Sequence, residues 1–132
     1  MKTRIVIADD DPTITQLVSL RLTMAGYDVC AANNGAEALA MIRSHAPAMA
    51  ILDVRMPGQD GLGVLRALKA DSATCDLPVM MLTGERDDVT VMDAVGAGAA
   101  DYMVKPFHPD RLMERVSRIV ATSRPSRAVW EV

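Results

Sequence analysis

The sequence predicts an α/β domain, a doubly wound parallel β-sheet of five strands with helices on both faces. Short apolar runs alternate with stretches of helical periodicity about five times, which is the pattern of repeated β-α units. Strands in such units run parallel and are joined by right-handed crossovers. The chain has 132 residues, half of them hydrophobic and only 3% aromatic. A single domain with an aliphatic and methionine core is therefore expected.

The first half of the chain shows clear strand and helix signals. Residues 5–8 form a continuous apolar run, which is typical of a strand buried on both faces. Asp11 is predicted to cap the first helix, which begins at Pro12 and stops at Gly26. A second apolar strand follows, and Asn34 is predicted to cap the second helix.

The second half repeats this alternation. The third strand leads to Asp53, and a loop rich in turn-forming residues precedes the third helix. The fourth strand leads to Thr83, and Gly98 stops the fourth helix. The fifth strand leads to Lys105. The predicted strands cover residues 5–8, 27–32, 48–52, 78–82 and 102–104. The predicted helices cover residues 12–25, 35–45, 62–70, 87–97 and 109–121.

The composition argues against several classes of function. The net charge of −3 provides no excess of cations for phosphates, so we expect no nucleic-acid binding by this domain alone. Cys30 and Cys75 lack the spacing of a metal site. No segment resembles a signal peptide or approaches membrane-spanning length, so we expect a soluble, cytoplasmic protein. The domain is assigned to residues 1–122, and residues 123–132 are expected to be a linker or tail.

Polar side chains stand where four of the predicted strands end. Asp9 and Asp10 follow the first strand, and Asp53, Thr83 and Lys105 follow the third, fourth and fifth. Because the carboxyl ends of parallel strands lie along one edge of a sheet, these residues should converge. Three neighbouring carboxylates repel one another, and a hard cation such as Mg²⁺ relieves that repulsion. An aspartate can also attack phosphorus and form an aspartyl-phosphate.

The same residues lie in segments that resemble the receiver domains of bacterial response regulators. The resemblance covers about residues 2–121. It rests on residues 5–12 (IVIADDDP), 51–61 (ILDVRMPGQDG), 78–83 (PVMMLT) and 98–107 (GAADYMVKPF). It implies a flavodoxin-like fold with strand order 2-1-3-4-5. It also implies a signalling switch, rather than an enzyme, that a histidine kinase or a phosphotransfer protein phosphorylates.

The resemblance implies a role for each residue of the site. Asp53 would accept the phosphoryl group. Asp10 would bind Mg²⁺ directly, Asp9 would bind it through water, and the backbone carbonyl of Arg55 would be a further ligand. Lys105 would pair with the phosphoryl group, and its peptide bond to the following proline would be cis.

Two further groups of residues are implied to change after phosphorylation. Thr83 would turn toward the phosphoryl group, and Tyr102 would follow it inward as a switch. An output face, through which similar receivers form dimers by Asp–Arg pairing, would include Asp101, Arg111, Arg115 and Arg118. The alternative is that these arginines simply form a solvated helix face, because exposed ion pairs are individually weak.

Two other functions fit part of the sequence. The spacing of Asp9 and Asp11 after an apolar run is similar to the motif of haloacid-dehalogenase-type phosphatases, where they would serve as nucleophile and general acid. The chain is short for such an enzyme, and the loop after Asp53 would remain unexplained. The other alternative is a receiver-like module that binds partners without accepting phosphate.

Overall fold

The computed structural model describes residues 2–84 and 88–123, which form five strands and five helices in strict alternation. The predicted first residue of the fourth helix, residue 87, and nearly all of the predicted tail lie outside these residues. The strands are β1 (Arg4–Ala8), β2 (Asp28–Ala32), β3 (Met49–Asp53), β4 (Val79–Thr83) and β5 (Asp101–Val104). The helices are α1 (Pro12–Met24), α2 (Gly35–His45), α3 (Gly61–Ala70), α4 (Asp88–Gly96) and α5 (Pro109–Ser123).

All five strands pair in parallel, in the order β2-β1-β3-β4-β5, which confirms the predicted topology. The chain moves outward from β1 to β2 and then returns to place β3 on the other side of β1. This reversal creates a crevice at the carboxyl ends of β1 and β3, where ligands of open α/β sheets bind. The register sets Ala8 beside Leu52, so that the next residues, Asp9 and Asp53, are neighbours at this edge of the sheet.

The core has two layers, because successive side chains of each strand point to opposite faces of the sheet. On one face, Val6 and Ala8 pack among buried residues of α2, α3 and α4. On the other face, Ile5 and Ile7 pack against buried residues of α1 and α5. This doubly wound arrangement confirms the predicted fold class. Among the described residues, no helix is long and apolar enough to cross a membrane.

The helix starts follow their predicted capping residues. Asp11 accepts a hydrogen bond from the Thr13 backbone N at 2.9 Å, and Asn34 accepts one from the Glu37 backbone N at 2.8 Å. The end of α2 agrees with the predicted range of residues 35–45. The residue after the helix is Ala46, whose φ of 47° is left-handed and turns the chain away.

Candidate functional site

The carboxyl edge of the sheet brings the five predicted polar residues to one place. Asp9 follows β1 and is fully buried, whereas Asp10 is exposed. Asp53 and Thr83 are the last residues of β3 and β4, rather than the residues that follow them, and both are buried. Lys105 follows β5 and is partly buried. The convergence expected from the strand ends is therefore present.

Three carboxylates form an acidic cluster at this edge. One oxygen each from Asp9, Asp10 and Asp53 lies within 4.8 Å of the others. Asp9 Oδ1 accepts a hydrogen bond from the Asp11 backbone N at 2.9 Å, and Asp53 Oδ1 accepts a longer one from the Arg55 backbone N at 3.4 Å. The other oxygen of Asp9, Oδ2, is also buried.

Lys105 places its ammonium between two of these carboxylates. Its Nζ lies 2.7 Å from Asp9 Oδ2 and 3.3 Å from Asp53 Oδ2. Burial lowers the pKa of Lys105, but the two carboxylates outweigh burial and leave this pKa above its usual value. The peptide bond from Lys105 to Pro106 is cis, as expected.

The Asp53 carboxyl is poorly compensated when metal is absent. Burial raises its pKa, the neighbouring charge of Asp9 raises it further, and Lys105 only partly opposes both, so that the pKa reaches about 6. One ammonium therefore does not balance the buried negative charge. The site would accommodate an additional cation.

The cluster fits a hard divalent cation such as Mg²⁺. Its donors are carboxylate oxygens, which Mg²⁺ prefers, and a single ammonium faces two buried carboxylates. The candidate ligands are Asp9, Asp10, Asp53 and the backbone carbonyl of Arg55. Arg55 lies in the loop directly after Asp53, so its backbone belongs to the same edge of the sheet.

Gly61 is a residue of the site whose importance the sequence prediction missed. A Cβ at this position would lie 2.0 Å from the backbone oxygen of Asp53, closer than side chains tolerate. The Gly61 N also donates to the Val54 carbonyl at 2.9 Å. We predicted Gly61 only as a turn former. The available signal was a glycine at the start of a helix, where other residues are better helix formers.

The predicted output face forms a second group along β5 and α5. Arg115 Nη1 lies 3.0 Å from Asp101 Oδ1, and Arg118 pairs with Glu114 one turn earlier in α5 at 3.2 Å. Two of the arginines thus already have acidic partners within the chain. Arg111 is exposed.

The two predicted switch residues differ in their surroundings. Thr83 is buried at the carboxyl edge, beside the strand that ends in Asp53. The Tyr102 side chain is at the surface, with 37% of the residue exposed, while its carbonyl accepts a hydrogen bond from Arg115 at 3.0 Å. Tyr102 is thus outside the core in this conformation.

A parallel sheet in this order, with buried aspartates and a lysine at its carboxyl edge, defines a receiver-type signalling domain. The model of the response regulator receiver domain family matches residues 5–117. The chain belongs to this family.

Individual relatives agree with that assignment. The DNA-binding response regulator MtrA of Mycolicibacterium smegmatis is 38% identical over 116 residues, covering 88% of this chain and 50% of MtrA. The chemotaxis response regulator CheY4 of Vibrio cholerae is 33% identical with a TM-score of 0.84, covering 90% of this chain and 99% of that structure. A CheY-like receiver domain protein from Methanospirillum hungatei is 28% identical with a TM-score of 0.86, covering 93% and 97%.

These findings establish the protein as a signalling receiver and do not favour the phosphatase alternative. The matched region includes the Asp9 segment and also the loop after Asp53. The phosphatase motif accounts for the first of these but not for the loop. The side chain of Asp11, the general acid in that alternative, caps α1 instead. The chain spans about half the length of MtrA.

Proposed function

We propose that this receiver accepts a phosphoryl group on Asp53, with Mg²⁺ held by Asp9, Asp10, Asp53 and the Arg55 carbonyl. The observation that carries the proposal is the position of Asp53. Its carboxylate ends a central strand, adjoins the other two carboxylates, and lies 3.3 Å from the Lys105 ammonium.

The chemistry follows from these charges. With a pKa of about 6, Asp53 is mostly ionised at neutral pH and can act as a nucleophile. One of its oxygens forms the new bond to phosphorus while the bond from phosphorus to the donor breaks, and the donor leaves with that electron pair. Bound Mg²⁺ supplies positive charge that offsets the phosphoryl oxygens. Lys105 supplies a second positive charge from the side of β5.

The switch follows transfer. The hydroxyl of Thr83, at the end of the neighbouring strand, donates to a phosphoryl oxygen. Tyr102, now at the surface, moves inward and thereby changes the face formed by β5 and α5. The domain catalyses only its own phosphorylation and dephosphorylation.

The partners are proposed from the family and the charge. The phosphoryl donor is a histidine kinase or a phosphotransfer protein in the cytoplasm. The domain by itself does not bind nucleic acid, since its net charge is −3. MtrA is described as DNA-binding, and this chain matches only half of the length of MtrA. Any output through DNA would therefore use a part of a regulator other than this domain.

Mass spectrometry after incubation with acetyl phosphate and Mg²⁺ tests the proposal. Wild-type protein should gain one phosphoryl group, and Asp53→Asn should gain none. Asp76→Asn, which alters an exposed carboxyl near the amino end of β4, is the control and should be phosphorylated normally. A phosphoryl group on Asp9 would instead support the phosphatase chemistry. A wild-type protein that gains no group would support the partner-binding module.

A further inference from the structure

The backbone of α2 touches the loop that follows Asp53. Gly35, the first residue of α2, is buried. A Cβ on Gly35 would lie 1.9 Å from the carbonyl oxygen of Gln59 and 2.9 Å from its carbonyl carbon. Both atoms belong to the backbone, so rotation of a side chain cannot relieve this contact. Only glycine fits here without moving either the loop or the helix.

The other side of the same loop is equally close to its neighbours. Gly61 leaves no room for a methyl group beside the Asp53 carbonyl, and its N bonds the Val54 carbonyl at 2.9 Å. The Asp60 side chain accepts a hydrogen bond from the Gly63 N at 2.7 Å and caps α3. The end of the loop nearest α3 is therefore held both by the capping of α3 and, at Gln59, by contact with α2.

The loop held in this way carries the backbone of Arg55. Its N already reaches Asp53 Oδ1 at 3.4 Å, and its carbonyl is the proposed backbone ligand of Mg²⁺. A shift of the loop at Gln59 therefore moves a metal ligand, although Gly35 itself has no side chain to bind anything. Alanine is the better helix former, so the close approach of the Gln59 backbone is the reason that glycine fits this position.

We infer that Gly35 is a positioning residue for the phosphorylation site. By allowing Gln59 to rest against the start of α2, it sets the path of the loop that carries the Arg55 carbonyl, the proposed backbone ligand. This inference rests on the proposed function, since it concerns the Mg²⁺ site of that proposal. It adds an element, α2, that contributes no polar side chain to the cluster.

Calorimetric titration with Mg²⁺ tests the inference through affinity, with no need for phosphorylation. Gly35→Ala should weaken Mg²⁺ binding about tenfold or more, the usual effect of disturbing the groups that orient metal ligands. Gly96→Ala is the matched control. A Cβ at Gly96 meets nothing within 4 Å, so this variant should bind Mg²⁺ as wild type does.

The outcomes separate positioning from mere stability. A purely structural role would lower the melting temperature of Gly35→Ala equally with and without Mg²⁺ and leave the Kd unchanged, which would overturn the inference. If Gly35→Ala does not fold, Gln59→Gly decides. It loosens the loop at the contact without removing a buried side chain, and it should also weaken binding. An unchanged Kd in that variant would equally overturn the inference. Failure of the wild type to bind Mg²⁺ would overturn the proposed function itself.

Discussion

At the scale of single residues, Asp53 makes the stability of the metal-free protein depend on pH. Burial, and then the charge of Asp9, raise its pKa from the usual 3.8 to about 6. A group whose folded pKa is raised stabilises the native state below its unfolded pKa, and this contribution is lost as the pH rises through the folded pKa. The free energy of unfolding should therefore fall by at most about 3 kcal/mol between about pH 4 and pH 7.

Urea unfolding of wild type and Asp53→Asn without Mg²⁺ measures this effect. The two proteins should be closest in stability near pH 4, and Asp53→Asn should become the more stable as the pH rises. Asp76→Asn reports the effect of an exposed carboxyl. A difference between wild type and Asp53→Asn that stays constant across this range would show that Asp53 is not responsible.

Lys105 should matter for folding as well as for phosphoryl transfer. Lys105→Gln leaves the fully buried Asp9 without its ion pair at 2.7 Å, so the free energy of unfolding should fall by about 3 kcal/mol at neutral pH. In an Asp53→Asn background the loss should be smaller, because one carboxylate is already gone. Chemical denaturation of the four proteins of this cycle is the measurement. Lys2→Gln, at an exposed position, controls for the loss of a positive charge. If Lys105→Gln lowers the free energy of unfolding equally in the wild-type and Asp53→Asn backgrounds, Lys105 and Asp53 are not coupled.

At the scale of elements, β5 and α5 are tied together by the ion pair between Asp101 and Arg115. Because this pairing lies within one chain, the unphosphorylated protein should be a monomer. Beryllofluoride should drive dimerisation through the output face, and Arg111→Glu should prevent it without changing the fold, since Arg111 is exposed. Sedimentation velocity is the measurement, and Arg66→Glu on the exposed face of α3 is the control. If the protein is a monomer both with and without beryllofluoride, the arginines form only a solvated helix face.

Strands and capped helices were predictable because their signals are local. Apolar runs end at Asp53 and Thr83, and Asp11 and Asn34 are capping residues in sequence as in structure. The contact at Gly61 was not predictable, because it depends on where the loop meets another backbone in space.

The pairing within the output face was also missed. Asp101 and Arg115 are 14 residues apart, on a strand and on a helix. Neither helical nor strand periodicity relates these two positions. Both residues could therefore be assigned to the output face from the sequence, but their pairing within one chain could not be predicted. Packing between elements, rather than any local pattern, decides this contact.

At the scale of the whole molecule, Mg²⁺ should stabilise the fold by binding the native state alone. At ten times its dissociation constant it should add about 1.4 kcal/mol, which raises the Tm by roughly 5 °C for a domain of this size. Thermal unfolding with Mg²⁺, compared with NaCl of equal ionic strength, measures the shift. Asp53→Asn should show a smaller shift, and a wild-type Tm that does not respond to Mg²⁺ would contradict the metal site.

The assembly of the site from four strands has a consequence during synthesis. A nascent chain that has left the ribosome up to β4 already carries every carboxylate of the cluster, but Lys105 follows β5, the last strand of the sheet. Such a chain holds the negative charges without the ammonium that balances them. If the proposed function holds, translation must therefore pass β5 before the charges that would serve phosphoryl transfer are all present.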